Sequence, residues 1–458
     1  MRIALTALGS VILAGCIHIA PRPISPAVTA HGLESRSLAD PGLERFIAAH
    51  MQRGPAWNLE ALTLAAFYFH PDLDVARAEA AVARAAIVTA GERPNPILNL
   101  PIEHKAEAGL SPWITVLGID VPIETANKRG LRRRHAEDLS RAAELGIAQS
   151  AWQVRSTIRA QLVALTMAND SVTILRRQRD AQNDLVQALQ KRFELGEGSR
   201  VELTQARIAA RQTEMLLRDR EAQAAQARAR LAAAVGVPES GVADVTLSFD
   251  PHALAPPADG VTPTLRERAL VSRPDMLVTL ANYAAAESNL RLELARQYPD
   301  LHIAPGFGWD QGSKRWDLGF SSALPIFSRN RGAIAEAEAR RSASEARVIA
   351  LQARIIAASD EASELYRHAL TKLSDANSVL ELQRGQTEAA RRSFNAGQID
   401  RVALRSAELE LAASELAAAD TLAQVQQALG ALEDAIEQPL TNTAMPQVPI
   451  TNPRESGR

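Results

Sequence analysis

The sequence predicts a mainly α-helical chain with a small β part, arranged as a duplicated strand–strand–long-helix–helix unit. Composition is the first ground for this. Ala, Leu, Glu, Arg and Gln dominate while aromatic residues make up only 4%, which suits long, solvated, mutually packed helices. Duplication is the second. Pro71-Asp72-Leu73 recurs as Pro274-Asp275-Met276, Val121-Pro122-Ile123 as Leu324-Pro325-Ile326, and Lys128-Arg129-Gly130 as Asn330-Arg331-Gly332. Phe193-Glu194-Leu195-Gly196 then matches Phe394-Asn395-Ala396-Gly397, and Val201-Glu202-Leu203 matches Val402-Ala403-Leu404. The pairs are collinear at offsets of 201 to 203 residues, as duplication requires. The third ground is two very long stretches with few helix breakers, each preceded by two segments of period-two alternation.

Each repeat follows one plan. A helix begins at Pro71 or Pro274, because proline suits a first helical turn, and runs to about Arg93 or Arg296. Pro94-Asn95-Pro96 and Pro299 stop these helices. Extended segments follow at about 97–105 and 113–121, and at about 301–309 and 315–324; Pro122 or Pro325 ends the second of each pair. The long helices occupy about 127–193 and 330–394, and about 67 residues at 1.5 Å each reach roughly 100 Å. In the first, Ile158, Leu162, Leu165, Val172, Leu175, Val186, Leu189 and Phe193 form a seam for lateral helix packing. Gly196 and Gly397 suit left-handed helix caps, and return helices follow at about 200–235 and 401–436. The two units therefore span 59–235 and 264–437. A Pro-, Gly- and Asp-rich linker or equatorial segment covers 236–263, and 438–458 reads as a flexible tail.

Cys16 is the chain's one cysteine. It closes Leu13-Ala14-Gly15-Cys16, behind a single charge at Arg2 and a mostly apolar run from Ile3 to Gly15. That is the layout of a bacterial lipoprotein signal, with residues 1–15 removed and Cys16 acylated. The other reading is an ordinary signal peptide that happens to end in cysteine. Residues 16–58 would be a lipid-anchored tether, beginning with the extended Ala20-Pro21-Arg22-Pro23-Ile24-Ser25-Pro26. Ile17, rather than an acid, follows the cysteine and favours the outer membrane. One cysteine excludes an intramolecular disulfide and a cysteine-based metal site.

The four extended segments carry the most chemistry. Leu98, Leu100, Ile102 and His104 alternate with Ile97, Asn99, Pro101, Glu103 and Lys105; Trp113, Thr115, Leu117, Ile119 and Val121 share the next alternate set. Leu301, Ile303, Pro305, Phe307 and Trp309 oppose His302, Ala304, Gly306 and Gly308, and Trp316, Leu318, Phe320, Ser322 and Leu324 oppose Arg315, Asp317, Gly319, Ser321 and Ala323. Alternation over about nine or ten residues is that of a membrane β-strand, with one face to lipid and one to a polar lumen. Trp113, Trp309 and Trp316 fall at the loop ends of the hairpins, where an interfacial aromatic girdle belongs. A soluble amphipathic sheet lying on the helices is the alternative. Four strands cannot close a barrel, and open edges are not tolerated in lipid. Three chains would pool twelve strands, an even number within the range of such barrels.

At this point the chain resembles the TolC-type outer-membrane efflux proteins over roughly 59–437. The carrying residues are the duplicated plan, Val121-Pro122-Ile123, Leu324-Pro325-Ile326 and the two Phe-x-x-Gly turns. Arg93-Pro94-Asn95-Pro96 further resembles the heavy-metal and cation efflux subfamily. The resemblance implies a homotrimer: a twelve-strand barrel in the outer membrane continued by a helical barrel across the periplasm. Pro122 and Pro325 would mark the strand-to-helix turns. Phe193, Gly196, Val201, Glu202 and Leu203, with Phe394, Gly397, Val402 and Leu404, would lie at the periplasmic tip. There an adaptor protein would dock, and an inner-membrane pump, often proton-driven and of the RND type, would complete the path. The same tip residues also suit helix capping and core packing. Family members often carry an acid before the leucine of this turn; here Glu202 has no second acid to match it, since Ala403 stands there, and Arg401 and Arg405 flank it. The same duct could instead serve a type I protein-secretion system, and a plain helical periplasmic lipoprotein is a further alternative.

Several function classes are excluded. Lys and Arg total 51 against 53 Asp and Glu, so no charge bias points to nucleic acid. No HExxH, GxSxG or P-loop occurs, the nine histidines are scattered, and the six methionines form no tract. Neither an enzyme, a cofactor nor a metal site is expected. Lys128, Arg129, Arg132, Arg133 and Arg134 cluster where the chain leaves the first sheet segment. They read either as a contact with lipid head groups or as a solvated helix face.

Overall fold

Prolines set many of the element boundaries in the computed structural model, which describes residues 19–51, 54, 56–105, 112–255, 263–310, 312–441 and 445–454. Cys16 lies outside them. Helices α1 (Pro26–Glu34), α2 (Pro41–His50), α4 (Pro71–Gly91) and α8 (Pro274–Ala295) all start on proline, whose fixed φ and missing N–H cost nothing there. Helix α3 (Leu59–Phe69) precedes α4, with Asn58 capping it through Ala61 N–H. The first repeat continues through β1 (Ile97–Asn99), β2 (Ile102–His104), β3 (Trp113–Ile123), α5 (Lys128–Glu194) and α6 (Arg200–Val235). The second continues through α7 (Pro263–Ser272), α8, β4 (Leu301–Asp310), β5 (Ser313–Ser322), α9 (Arg331–Asn395) and α10 (Arg401–Ile436).

The long helices have 67 and 65 residues, roughly 100 Å each. The strand-end half of α5 packs on α4 and α8, and its far half on α6 and α10; α9 likewise packs on α8 and then α10. Four helices therefore lie side by side at every level, and α4/α6 and α9 form the two edges of this wall. At the strand end, one sheet has the order β1/β2–β3–β4–β5, so the two repeats meet at the β3–β4 pairing. The first extended segment is broken, because proline has no N–H for the ladder. Pro101 instead accepts a hydrogen bond from Val116 N at 3.2 Å through its carbonyl.

The duplication is visible in the backbone. Asn127 (φ 55°) and Asn330 (φ 58°) both adopt the left-handed conformation immediately before the long helices, which asparagine tolerates better than most residues. The sequence match set Lys128 against Asn330; the backbone sets Asn127 there.

Two terminal segments depart from expectation. Of the segment expected to be a tether, Leu38, Leu43 and Ile47 are buried and join α3, mid-α5 and the end of α6 in the largest apolar core. Arg36 donates to Phe69 O and Gly236 O at 2.6 and 3.1 Å, pinning this segment to two helix ends. Of the linker, Val237 and Val242 belong to the same core. The expected flexible tail also packs: Met445 and Val448 lie on that core, Arg77 donates to Pro449 O at 3.1 Å, and Arg454 pairs with Asp74. Apolar residues scattered among prolines carried no periodicity to reveal this. A second core joins α7, α9 and α10 around Tyr366, whose hydroxyl donates to Ala255 O at 2.8 Å. Both cores sit near the midpoints of the long helices and form a belt there.

Candidate functional site: the sheet faces and the helical tip

Strand register decides which side chains share a face. β3 meets β4 at Thr115–Trp309, Leu117–Phe307, Val121–Ile303 and Ile123–Leu301. β4 meets β5 at Ile303–Phe320, Pro305–Leu318 and Phe307–Trp316, while Leu98 opposes Ile119 and Ile102 opposes Thr115. All four alternating sets therefore fall on one continuous apolar face. It is bare: Trp316 is 81% exposed, Phe320 72% and Ile102 60%. The opposite face carries Asn99, Glu103, Asp120, His302, Asp317, Ser321 and several glycines, with Ile97, Ile114, Val116, Pro122 and Ala304 among its apolar residues. His302 Nδ1 lies 3.0 Å from Asp120 on that face, and Arg315 donates to Asp317 at 2.7 Å.

The tryptophans form a diagonal rather than a level row. Trp113 stands opposite His104, Trp309 opposite Thr115, and Trp316 opposite Phe307. Each thus lies two residues further from the loop end than the last, about 7 Å per step. Ring contacts link Phe307 to Trp309 and Trp316 at 5.3 and 4.7 Å. Pro122 lies inside β3, one residue before its end and paired with His302, rather than ending the strand, and Pro325 follows β5.

The basic cluster beside the sheet is mostly internally neutralised. Lys128 is buried and donates to Asp300 at 2.7 Å; Arg132 pairs with Glu124, Arg133 with Glu137 and Arg134 with Asp138. Arg129 donates to Gly91 O. Arg133 and Arg134, exposed and paired along their own helix, fit the solvated helix face, whereas buried Lys128 fits neither reading.

At the other end, both turns are built alike. Gly196 (φ 78°) donates to Phe193 O and Glu197 N to Arg192 O; Gly397 (φ 70°) donates to Phe394 O and Gln398 N to Ser393 O. This is the Schellman arrangement, which needs the left-handed conformation that glycine adopts freely. Ser199 and Asp400 then cap the return helices through Val201 N and Ala403 N. The tip residues divide by burial. Leu203 and Leu404 are buried, with Leu203 in an apolar cluster that Val402 packs against. Val201 is 64% exposed, Phe193 36%, and Glu202 is exposed; Phe394 is half-buried. Arg401 and Arg405, which flank Ala403 in the sequence, both reach Asp184 of α5, at 3.6 and 2.5 Å. Glu408 accepts from Arg405 and Arg391; desolvation pushes its carboxyl up, but the hydrogen bonds and charges of these two arginines outweigh that and hold it below the usual range. Sequence spacing could not reveal this network, since its members lie on three helices.

Among the described residues no helix is long and apolar enough to cross a membrane, and no three His, Cys, Asp or Glu group to hold a metal. Neither observation bears on a β-barrel. A sheet with one bare apolar face is continued by a wall of roughly 100 Å helices, a strand-and-helix frame with one face suited to lipid. The chain belongs to the outer membrane efflux protein family, whose description matches residues 68–237 and 265–437. It is 27% identical over 281 residues to the cobalt-zinc-cadmium resistance protein CzcC of Cupriavidus metallidurans, covering 61% of this chain and 65% of that relative. The chain thus spans about two thirds of that curated relative's length. Its fold is similar to the outer membrane protein VceC of Vibrio cholerae, with TM-score 0.66 at 18% identity over 83% of this chain and 96% of that one. It is likewise similar to the open state of the MtrE outer membrane channel of Neisseria gonorrhoeae, with TM-score 0.68 at 14% identity over 85% and 91%.

Proposed function

We propose that three copies of this chain form the outer-membrane exit duct of a tripartite efflux pump. The observation that carries this is a matched pair of open edges. Among the described residues the sheet ends unpaired at β1/β2 and at β5. The helical wall ends at α4/α6 and α9, each bearing an exposed seam of small and apolar residues. On α4 it is Val75, Ala78, Val82, Ala85 and Thr89; on α6, Ile208 and Met215; on α9, Ala339, Ser342, Ala346, Ile349, Ala353 and Ile356. Spacings of three, four and seven suit knobs-into-holes packing on a neighbouring helix. Unlike edges that meet head to tail close a ring, and the ring satisfies every strand edge in lipid.

In this duct the apolar sheet face meets lipid, with Trp113, Trp309 and Trp316 near the interface, and the polar face lines the lumen. Phe193, Val201 and Glu202 offer the exposed surface for a periplasmic adaptor. The protein binds nothing tightly and catalyses nothing; cargo moves down the lumen once the tip opens. Small toxic compounds and metal cations are the candidate cargo, the latter from the name of the relative CzcC. Acylated Cys16 adds a second anchor, so its loss weakens insertion of the trimer without abolishing the pore. The test is to extract the protein in detergent, measure its mass, and record conductance in planar bilayers. A conducting trimer is expected; a monomer without conductance overturns the reading.

A further inference from the structure

One flank of α9 carries an unusual stripe. Arg340, Arg347 and Arg354 stand seven residues apart, so they share a helix face at steps of about 10.5 Å. All three line a cleft of about 770 Å³ whose other walls are Gln149 of α5 and Thr279 and Asn282 of α8. Because α5 and α9 both reach into it past α8, this is the concave side of the helical wall. The opposite flank of α9 is covered by the belt, where Arg266 of α7 pairs with Asp360. The cleft continues along α9 past Arg354 toward Glu361 and Asp434.

The charge balance within the cleft is one-sided. Its acid, Asp275, is held by Arg273 at 2.7 Å. Arg340 pairs with Glu336 on its own helix. Among the described residues Arg347 has no carboxylate within ion-pair distance, and Arg354 donates only to Ala350 O at 3.3 Å. At the lower end Asp434 is engaged by Trp152 and Ser156, and burial pushes its carboxyl up, toward the neutral form. Glu361 is the remaining acid there.

We infer that this cleft is an anion-attracting station in the duct, taking small solutes that carry a carboxylate or an oxyanion. The inference rests on the duct reading, which turns the concave side into lumen. Three copies place nine guanidiniums in three successive rings along about 21 Å of a water-filled passage, where walls of low dielectric focus their field. Guanidinium presents paired donors to carboxylates and oxyanions, and the amide and hydroxyl of Asn282 and Thr279 add neutral donors. Free divalent cations are repelled along this stretch, so of the two candidate cargoes the station favours small anionic compounds.

The test compares the full-length wild type with the R340Q/R347Q/R354Q variant, both checked for trimeric mass, in planar bilayers under a potassium chloride gradient. The reversal potential should show the chloride-to-potassium permeability ratio falling about two- to fivefold in the variant. Conductance with an unchanged ratio overturns this proposal and leaves the duct standing; absence of conductance from a trimer overturns both. A second variant, R347C, reads the local field directly. Anionic thiol reagents should modify it several-fold faster than cationic ones of similar size, and R340Q/R354Q on that background should abolish the preference. Equal rates, or no labelling, overturn the station.

Discussion

Asp184 on α5 lies 2.5 Å from Arg405 on α10, tying the first repeat to the second near the tip. Arg192 and Asp400 repeat the tie at 3.3 Å, one residue from α5 and the other capping α10. A tip that opens by separating these helices must break both. Each pair is partly exposed, worth less than about 1 kcal/mol. We expect Asp184→Asn with Asp400→Asn to raise the open fraction a few-fold in single-channel records, more at low salt than at high. Unchanged open probability would show that the tip opens without parting α5 from α10.

Glu433 sits at the belt, 1% exposed, between two nearly buried arginines. Arg155 and Arg159 approach its carboxylate at 3.4 and 3.2 Å, and Leu440 N donates to it at 2.9 Å. Removing the acid leaves two buried cations uncompensated, a loss of about 3–5 kcal/mol. Glu433→Ala should therefore lower the unfolding temperature sharply in detergent, whereas Arg84→Ala, at an exposed pair with Glu144, should leave it almost unmoved.

Glu437 ends α10 at φ 48°, and burial pushes its carboxyl up to about 7 despite Arg273 at 3.2 Å. An acid with a raised folded-state pKa holds its proton more tightly when folded. Stability then falls as pH rises from the ordinary 4.5 to about 7, by about 1–3 kcal/mol. Urea unfolding across this range should show the slope, and Glu437→Gln should flatten it.

Gly308 lets β4 approach β3 closely, since a Cβ there would lie 2.6 Å from Thr115 O. Gly308→Val should prise apart the pairing between repeats, costing about 1–3 kcal/mol. Loss of heat-resistant trimer on gels would report it, and Gly332→Ala, in open space, serves as the control.

The sequence by itself determined the local grammar of this protein. Prolines at helix starts, glycines at the tip, period-two strands and long unbroken helices are each set by the backbone preferences of neighbouring residues, so they read directly from spacing. The duplication and the family resemblance followed from those landmarks. Tertiary structure decided what lies far apart in the chain. Register placed Trp113, Trp309 and Trp316 on a diagonal and joined all four apolar alternations into one face, which no single strand specifies. Burial split Leu203 from Val201 and drew Leu43 and Val448 into one core across some four hundred residues. Arg405 became Asp184's partner, and Arg347 stayed unpaired, for the same reason: a charge is neutralised by what folding brings near it, and sequence distance does not record that.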